Sequence, residues 1–275
     1  MRFACILAAT IVAGTGCGDH GSRDQAPTVE ELRGSYDVTI QKSVQVNGSV
    51  ALSVATAGGD GNQLHVFFPA GVGVDASGTL QPGGTVELQG MTTNGDARTF
   101  VHGNARVEKR SGILRIIGSL SAFDTFDFEM RRPIDGDARP FGGRFRLAFE
   151  QSPGVCRCAT TADVTIDVDR GGFGTMSSAT EVDATGAAVG AIGALFELDL
   201  VISPTGRFAL QTSYETPPGE GCAVSALIRA PSCILFLDGT VANAETATPT
   251  SAHFDVTGEL AFNVGSGNVT ISRLL

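Results

Sequence analysis

From Tyr36 onward the chain alternates apolar and polar residues with a period of two, and no long helical period interrupts it. Tyr36, Val38 and Ile40 set the pattern, followed by Val50-Leu52-Val54, Leu64-Val66-Phe68 and Phe126-Phe128-Met130. The second half repeats it at Phe145-Leu147-Phe149, Val164-Ile166-Val168, Phe196-Leu198-Leu200-Ile202 and Leu260-Phe262-Val264. A strand with one apolar face is half-buried, so the pattern predicts antiparallel sheets with one face on a core. Turn residues separate the runs: Asn47-Gly48, Asp60-Gly61-Asn62, Ser77-Gly78, Asn94-Gly95, Ser111-Gly112, Pro204-Thr205-Gly206 and Gly265-Ser266-Gly267. Short alternating runs joined by such turns make an up-and-down meander, which disposes of its edge strands by closing into a barrel or folding into a sandwich. The predicted class is all-β.

Before the first strand, Thr28-Val29-Glu30-Glu31 matches a capping box, predicting a short helix near residue 30 that ends before Gly34. Gly34-Ser35-Tyr36-Asp37-Val38 is echoed by Gly143-Arg144-Phe145-Arg146-Leu147. Between them lies Arg131–Pro140, a polar run with two prolines. The expected organisation is a first β-barrel domain over residues 28–132 and a second over 141–275, with one large sandwich as the alternative. A helical turn, Gly-x-aromatic and a hairpin-rich meander resemble the opening of lipocalin-type barrels, with Tyr36 and Phe145 where that family carries Trp. The resemblance covers only the start of each half and implies a cup around a small apolar ligand. Ala184–Leu195, with Gly186, Gly190 and Gly193 among small residues, is expected to form a lid or loop.

At the N-terminus, Arg2 precedes the apolar run Ile6–Ala13, and Gly14-Thr15-Gly16 place small residues directly before Cys17. The run is too short to span a membrane, which takes ~20 apolar residues. It reads as a signal peptide, residues 1–16. The box resembles that of bacterial lipoproteins, with Gly14 where Leu is usual. The resemblance implies cleavage before Cys17, lipidation of its sulfur, and a flexible tether over 17–27. Acyl chains contribute ~0.8 kcal/mol per buried methylene, enough together for stable anchoring. Asp19 is not adjacent to Cys17, so the outer membrane is favoured over the inner. The formal charge of −10, with lysine only at positions 42 and 109, argues against nucleic acid. Trp is absent and Tyr occurs twice, which speaks against an aromatic-rich carbohydrate platform.

Cys156, Cys158, Cys222 and Cys233 form an even set in an exported chain and are expected as two disulfides. Neighbours one residue apart cannot comfortably bridge, so Cys156 and Cys158 should each pair with Cys222 or Cys233, closing loops of roughly 65 to 75 residues. A Cys₄ zinc site is the rival, but the spacings depart from the usual two-to-four-residue knuckle. His20, His65, His102 and His253 show no spacing that aims two rings at one metal. Carboxylates recur opposite apolar faces at Asp163-Asp167-Asp169, Glu197-Asp199 and Asp127-Glu129, as on any solvated sheet face. No nucleophile elbow, His-Glu-x-x-His or phosphate loop occurs, so the chain is expected to be neither an enzyme nor a cofactor carrier.

Two functions fit: a lipid-anchored cell-envelope protein binding a small apolar ligand, or a structural or protein-interaction module of the envelope. The first predicts a cavity lined by residues such as Phe67, Phe100 and Phe123. The second predicts packed interiors and recognition on the outside.

Overall fold

In the computed structural model the described residues are 26–42, 54–68, 73–92, 99–121, 125–151, 161–183, 185–191, 196–215, 232–241, 250–257 and 263–274. They are almost entirely strand. The signal peptide, Cys17, Cys156, Cys158, Cys222 and Phe123 lie outside them.

Helix α1 (Val29–Leu32) starts at the capping box read from the sequence. The Glu31 backbone N–H donates to Thr28 Oγ1, and the Thr28 N–H donates back to the Glu31 carboxylate. The bond from Thr28 N–H, and after it the Lys109 ammonium at 3.1 Å, hold the Glu31 carboxyl below its usual range. The first eight strands are β1 (Gly34–Lys42), β2 (Val54–Gly58), β3 (Gln63–Phe68), β4 (Val74–Thr79), β5 (Thr85–Thr92), β6 (Phe100–Arg110), β7 (Ile113–Ser121) and β8 (Thr125–Pro133). They form a closed antiparallel barrel, β8 returning to β1 through Val38↔Met130 and Ile40↔Phe128. β8 takes in Arg131–Pro133, so the separating segment is shorter than the sequence reading placed it.

A 3₁₀ turn at Arg139–Phe141 opens the second unit. Its strands are β9 (Gly143–Gln151), β10 (Thr161–Val168), β11 (Phe173–Val182), β12 (Ala188–Ala191), β13 (Phe196–Ile202), β14 (Arg207–Glu215), β15 (Ser232–Thr240), β16 (Thr250–Thr257) and β17 (Asn263–Leu274). The strand order is β10-β9-β17-β16-β15-β14-β13-β11-β12, and pairing of β10 with β11 gives a second ring of eight with β12 attached to β11. The ring is loosest where β11 meets β13, at two residue pairs, Phe173↔Val201 and Gly174↔Leu200. The expectation of a lid or loop at Ala184–Leu195 fails for Ala188–Ala191. Pairing with β11 draws Ala188, Gly190 and Ala191 into a strand despite their poor β propensity.

One device opens both barrels. Gly34 and Gly143 have φ of +139° and +144°, open only to glycine, and a Cβ on either would strike an arginine from the last strand of its own barrel. Arg132 of β8 lies over the Tyr36 ring at 5.3 Å and donates to the Arg33 and Glu31 carbonyls at 2.6 and 2.7 Å. Arg273 of β17 lies over the Phe145 ring at 4.9 Å and donates to the Pro140 and Gly142 carbonyls at 2.8 and 3.0 Å. Each guanidinium thus ties the last strand to the turn before the first and caps the aromatic ring by cation–π attraction. Partial burial lowers the Arg273 pKa from its usual value.

The two barrels touch through the outer face of β1–β2. The Ser35 N–H donates to the Gly171 carbonyl at 2.8 Å, and its hydroxyl to the Ile202 carbonyl at 2.6 Å. Thr205 Oγ1 donates to both carboxylate oxygens of Asp37. Val54, Val201 and Ala209 form a small apolar cluster of their own beside these bonds. Ser35 sits at an outward position of its strand and is nonetheless fully buried.

Candidate functional site

Among the described residues, apolar side chains pack the interior of the first barrel. Leu64, Val66 and Phe68 of β3 point inward, as the alternation predicts, and meet Tyr36, Leu88, Ile116 and Phe128 from other strands. Phe68 packs edge-on against Phe126 and Phe128, with ring centroids 6.0 and 5.1 Å apart. Tyr36 donates its hydroxyl proton to the Leu32 carbonyl at 2.6 Å, so the one polar atom on that ring is satisfied. Burial pushes the Tyr36 phenol well above its usual range, although the neighbouring Arg132 charge pulls the other way.

The cavity expected from Phe67 and Phe100 is therefore corrected. Phe67 neighbours the inward Phe68 and takes the outer face, half-buried. Phe100 neighbours the inward Val101 and is 58% exposed. The described interior residues of the second barrel are apolar too, and a void of about 10 Å³ lies among residues that include Leu147, Ile166, Met176, Phe208 and Leu237. That is far below the ~300–1,000 Å³ of a small-molecule pocket.

A large concavity among the described residues lies on the outside. A cleft of about 820 Å³ crosses β3 to β7 of the first barrel. It lies across the ring from β1–β2, so the second barrel leaves it open. Glycines at inward positions let the sheet bend there: a Cβ on Gly78 or Gly103 would collide with the carbonyl oxygen of Glu87 or Ser119 on the next strand. Along β5 and β6 the outer face forms a ladder of cross-strand pairs, Thr85↔Arg106, Glu87↔Asn104, Gln89↔His102 and Met91↔Phe100. The first two pairs and Gln89 line the cleft, with Gln63 on β3, Ser77 and Thr79 on β4, and Ile117 on β7. At its upper end the ladder turns apolar: Met91 is 42% exposed, and the Phe100 and His102 rings are stacked at 6.3 Å and 17°. Gln63 Nε2 donates to Thr79 Oγ1 at 2.7 Å, fixing one amide orientation at the cleft wall.

The remaining sequence candidates fall apart as sites. In two of the acidic rows an arginine holds a carboxylate: Arg146 grips Asp163 through two bonds of 2.7 and 2.9 Å, and Arg115 meets Glu129 at 2.8 Å. The Arg146 bonds hold the Asp163 carboxyl below its usual range. Among the described residues no group of three or more His, Cys, Asp or Glu could hold a metal ion. His65 is exposed, and His253 stands in β16 opposite Asp238 and Asn268. Of the four cysteines expected in bridges, Cys233 is placed in β15 opposite Tyr214, and the other three lie outside the described residues.

Sequence reasoning missed Arg132 and Arg273, although the signal was present. The alternation Phe126-Phe128-Met130 runs on to Arg132, and Val269-Ile271 runs on to Arg273, so each arginine holds the next inward register position. It also missed the outer cleft, whose residues are ordinary polar strand residues until the register aligns them.

No family model matches the chain, and no curated protein matches it. Among solved structures, a protein of unknown function from the DUF3598 family of Nostoc punctiforme aligns over 90% of this chain and 99% of its own length. The identity is 9% and the TM-score 0.24.

Proposed function

We propose that this chain is a lipid-anchored cell-envelope binding protein, without chemistry of its own, that recognises its partner on the outer surface of its first barrel. The observation that carries this reading is the contrast between a barrel interior packed by residues such as Phe68, Leu88 and Ile116 and the 820 Å³ cleft on the outer face of the same strands. Cys17 supplies the membrane attachment, and residues 17–27 the tether. The N-terminal stretch enters at the α1 end of the barrel: the turn at Gly84 is so close to Ala26 that a Cβ there would lie 3.2 Å from the Ala26 methyl. Met91 and Phe100 stand at the other end of β5 and β6, away from the tether. Disulfides among Cys156, Cys158, Cys222 and Cys233 would staple the second barrel, which serves as a rigid support through Ser35 and Asp37.

Two experiments on cells making the full chain test this. Cys17→Ser should move the protein from the membrane to the soluble fraction. A photo-crosslinking residue at Gln89 should give an adduct that the same residue at Thr39, exposed on β1, does not. Retention of Cys17→Ser in the membrane, or equal behaviour at the two crosslinking positions, would count against the reading.

A second reading, a small apolar ligand, is favoured by one feature of the second barrel. Its described interior residues, among them Leu147, Ile166, Phe208 and Leu237, are apolar, and β11 and β13 meet at only two residue pairs, where the wall can part. A long-chain fatty acid bound at one per chain, and lost when Leu237→Arg fills the void, would establish it.

A further inference from the structure

We infer that the outer cleft of the first barrel binds a neutral saccharide chain. This rests on the proposed outer-face recognition and names its ligand.

The chemistry of the cleft selects the class. Its centre carries primary amides and hydroxyls, Gln63, Gln89, Asn104, Ser77 and Thr79, which donate and accept on the same side chain. Sugar hydroxyls also donate and accept, so amide and hydroxyl walls match them without any net charge. The charged residues at the wall, Glu87 and Arg106, are one of each sign on adjacent strands, and Arg106 already meets Glu108 at 3.4 Å. A polyanion would find one cation there, and a polycation one carboxylate. Polypeptide recognition on a sheet uses a free strand edge or apolar side-chain pockets. A closed barrel has no edge in this region, and nine of the thirteen residues lining the cleft are polar.

Shape and the apolar end agree. The cleft crosses five strands, or four steps of about 4.8 Å, a path of roughly 19 Å that suits a chain of several sugars rather than one. Beyond the cleft, at the β5–β6 end, the near-parallel Phe100 and His102 rings and the exposed Met91 stand next to Gln89. Sugar rings present an apolar face of C–H groups to such side chains while their edges hydrogen-bond. The scarcity of Trp and Tyr is thus no obstacle, since one phenylalanine and one histidine supply the platform and the amides supply the rest.

The test is calorimetric titration of the intact chain with neutral tetrasaccharides built from glucose and from N-acetylglucosamine. Saturable binding at one per chain is expected for at least one of them. Gln89→Ala and Asn104→Ala should each weaken it about tenfold, the value of a lost hydrogen bond or two. Phe100→Ala should weaken it roughly fivefold through lost ring contact. All three side chains are exposed, so these variants should keep the wild-type circular dichroism and melting temperature. Absence of binding to every tetrasaccharide, or binding that ignores all three substitutions, overturns the inference. Gln89-dependent binding of a peptide or an anionic polymer instead would overturn the saccharide class and leave outer-face recognition standing. Equal crosslinking at Gln89 and Thr39 would remove that reading itself.

Discussion

Truncating Phe128 to alanine separates a packed barrel from a ligand cup more sharply than any other single change. The side chain is 1% exposed, edge-on to Phe68 at 5.1 Å, and 6.3 Å from the Phe126 centroid. Gly118 sits so close to the ring that a Cβ there would come within 2.8 Å of Phe128 Cζ. In such a site Phe→Ala costs ~3–5 kcal/mol, the sum of lost transfer energy and the void left behind. The barrel wall is a closed hydrogen-bonded ladder and collapses poorly into a void, so about 4 kcal/mol is expected. With a urea slope of ~2 kcal/mol per molar, the midpoint should fall by roughly 2 M. The chain has two tyrosines and no tryptophan, so Tyr214→Phe leaves Tyr36 as the one intrinsic reporter, inside the barrel in question. Unfolding followed by tyrosine fluorescence in that background reads the first barrel alone. A shift below ~0.5 M would mean that the ring lines an open cup and that the packing argument is wrong. Phe100→Ala, on the outside, serves as the control and should move the midpoint by no more than about 0.2 M.

Other expectations follow from single contacts. The Tyr36 phenol is raised by burial, so the unfolded chain loses its proton first, and the stability it contributes is present below pH ~10 and lost as pH rises beyond it. Tyr36→Phe should flatten that alkaline fall while costing ~1 kcal/mol at neutral pH for the bond to Leu32, and an unchanged alkaline limb would refute this. Asp163 has the opposite sign: its contribution is present above pH ~4 and lost as pH falls through its lowered pKa, so Asp163→Asn should flatten the acid limb of a melting profile. Ser35→Ala removes the buried bond to the Ile202 carbonyl, which should cost ~1–2 kcal/mol and pull apart unfolding transitions read separately from Tyr36 and Tyr214; coincident, unshifted transitions would argue against it. Non-reducing peptide mapping should find Cys156 and Cys158 each joined to Cys222 or Cys233, and four free thiols in exported protein would dismiss the staples.

The strand faces were legible because inward and outward positions follow parity alone. Leu64, Val66 and Phe68 are buried while His65 is exposed, and the capping box at Thr28 formed as read. Parity would also have placed Phe67 and Phe100 outside, had it been counted from Phe68 and Val101 rather than from side-chain type. Ring closure was harder, since β1 meets β8 across about ninety residues of chain and no local pattern encodes that pairing. Whether an interior is filled depends on summed side-chain volume against ring size, which a binary pattern leaves open. Ser35 reads as solvent-facing until a second barrel covers it, and Ala188–Ala191 has strand form through its partner strand rather than its own residues.

The most direct measurement is a methyl NMR spectrum of the full chain titrated with a long-chain fatty acid. The assigned signals of Leu64, Val66, Leu88, Ile116 and Leu120, all inside the first barrel, are the ones to follow. A filled barrel predicts that these five stay where they are through saturation, whatever happens in the second barrel. Their concerted movement at one ligand per chain would show that the first barrel is a cup, and would contradict the placement of recognition on its outer face.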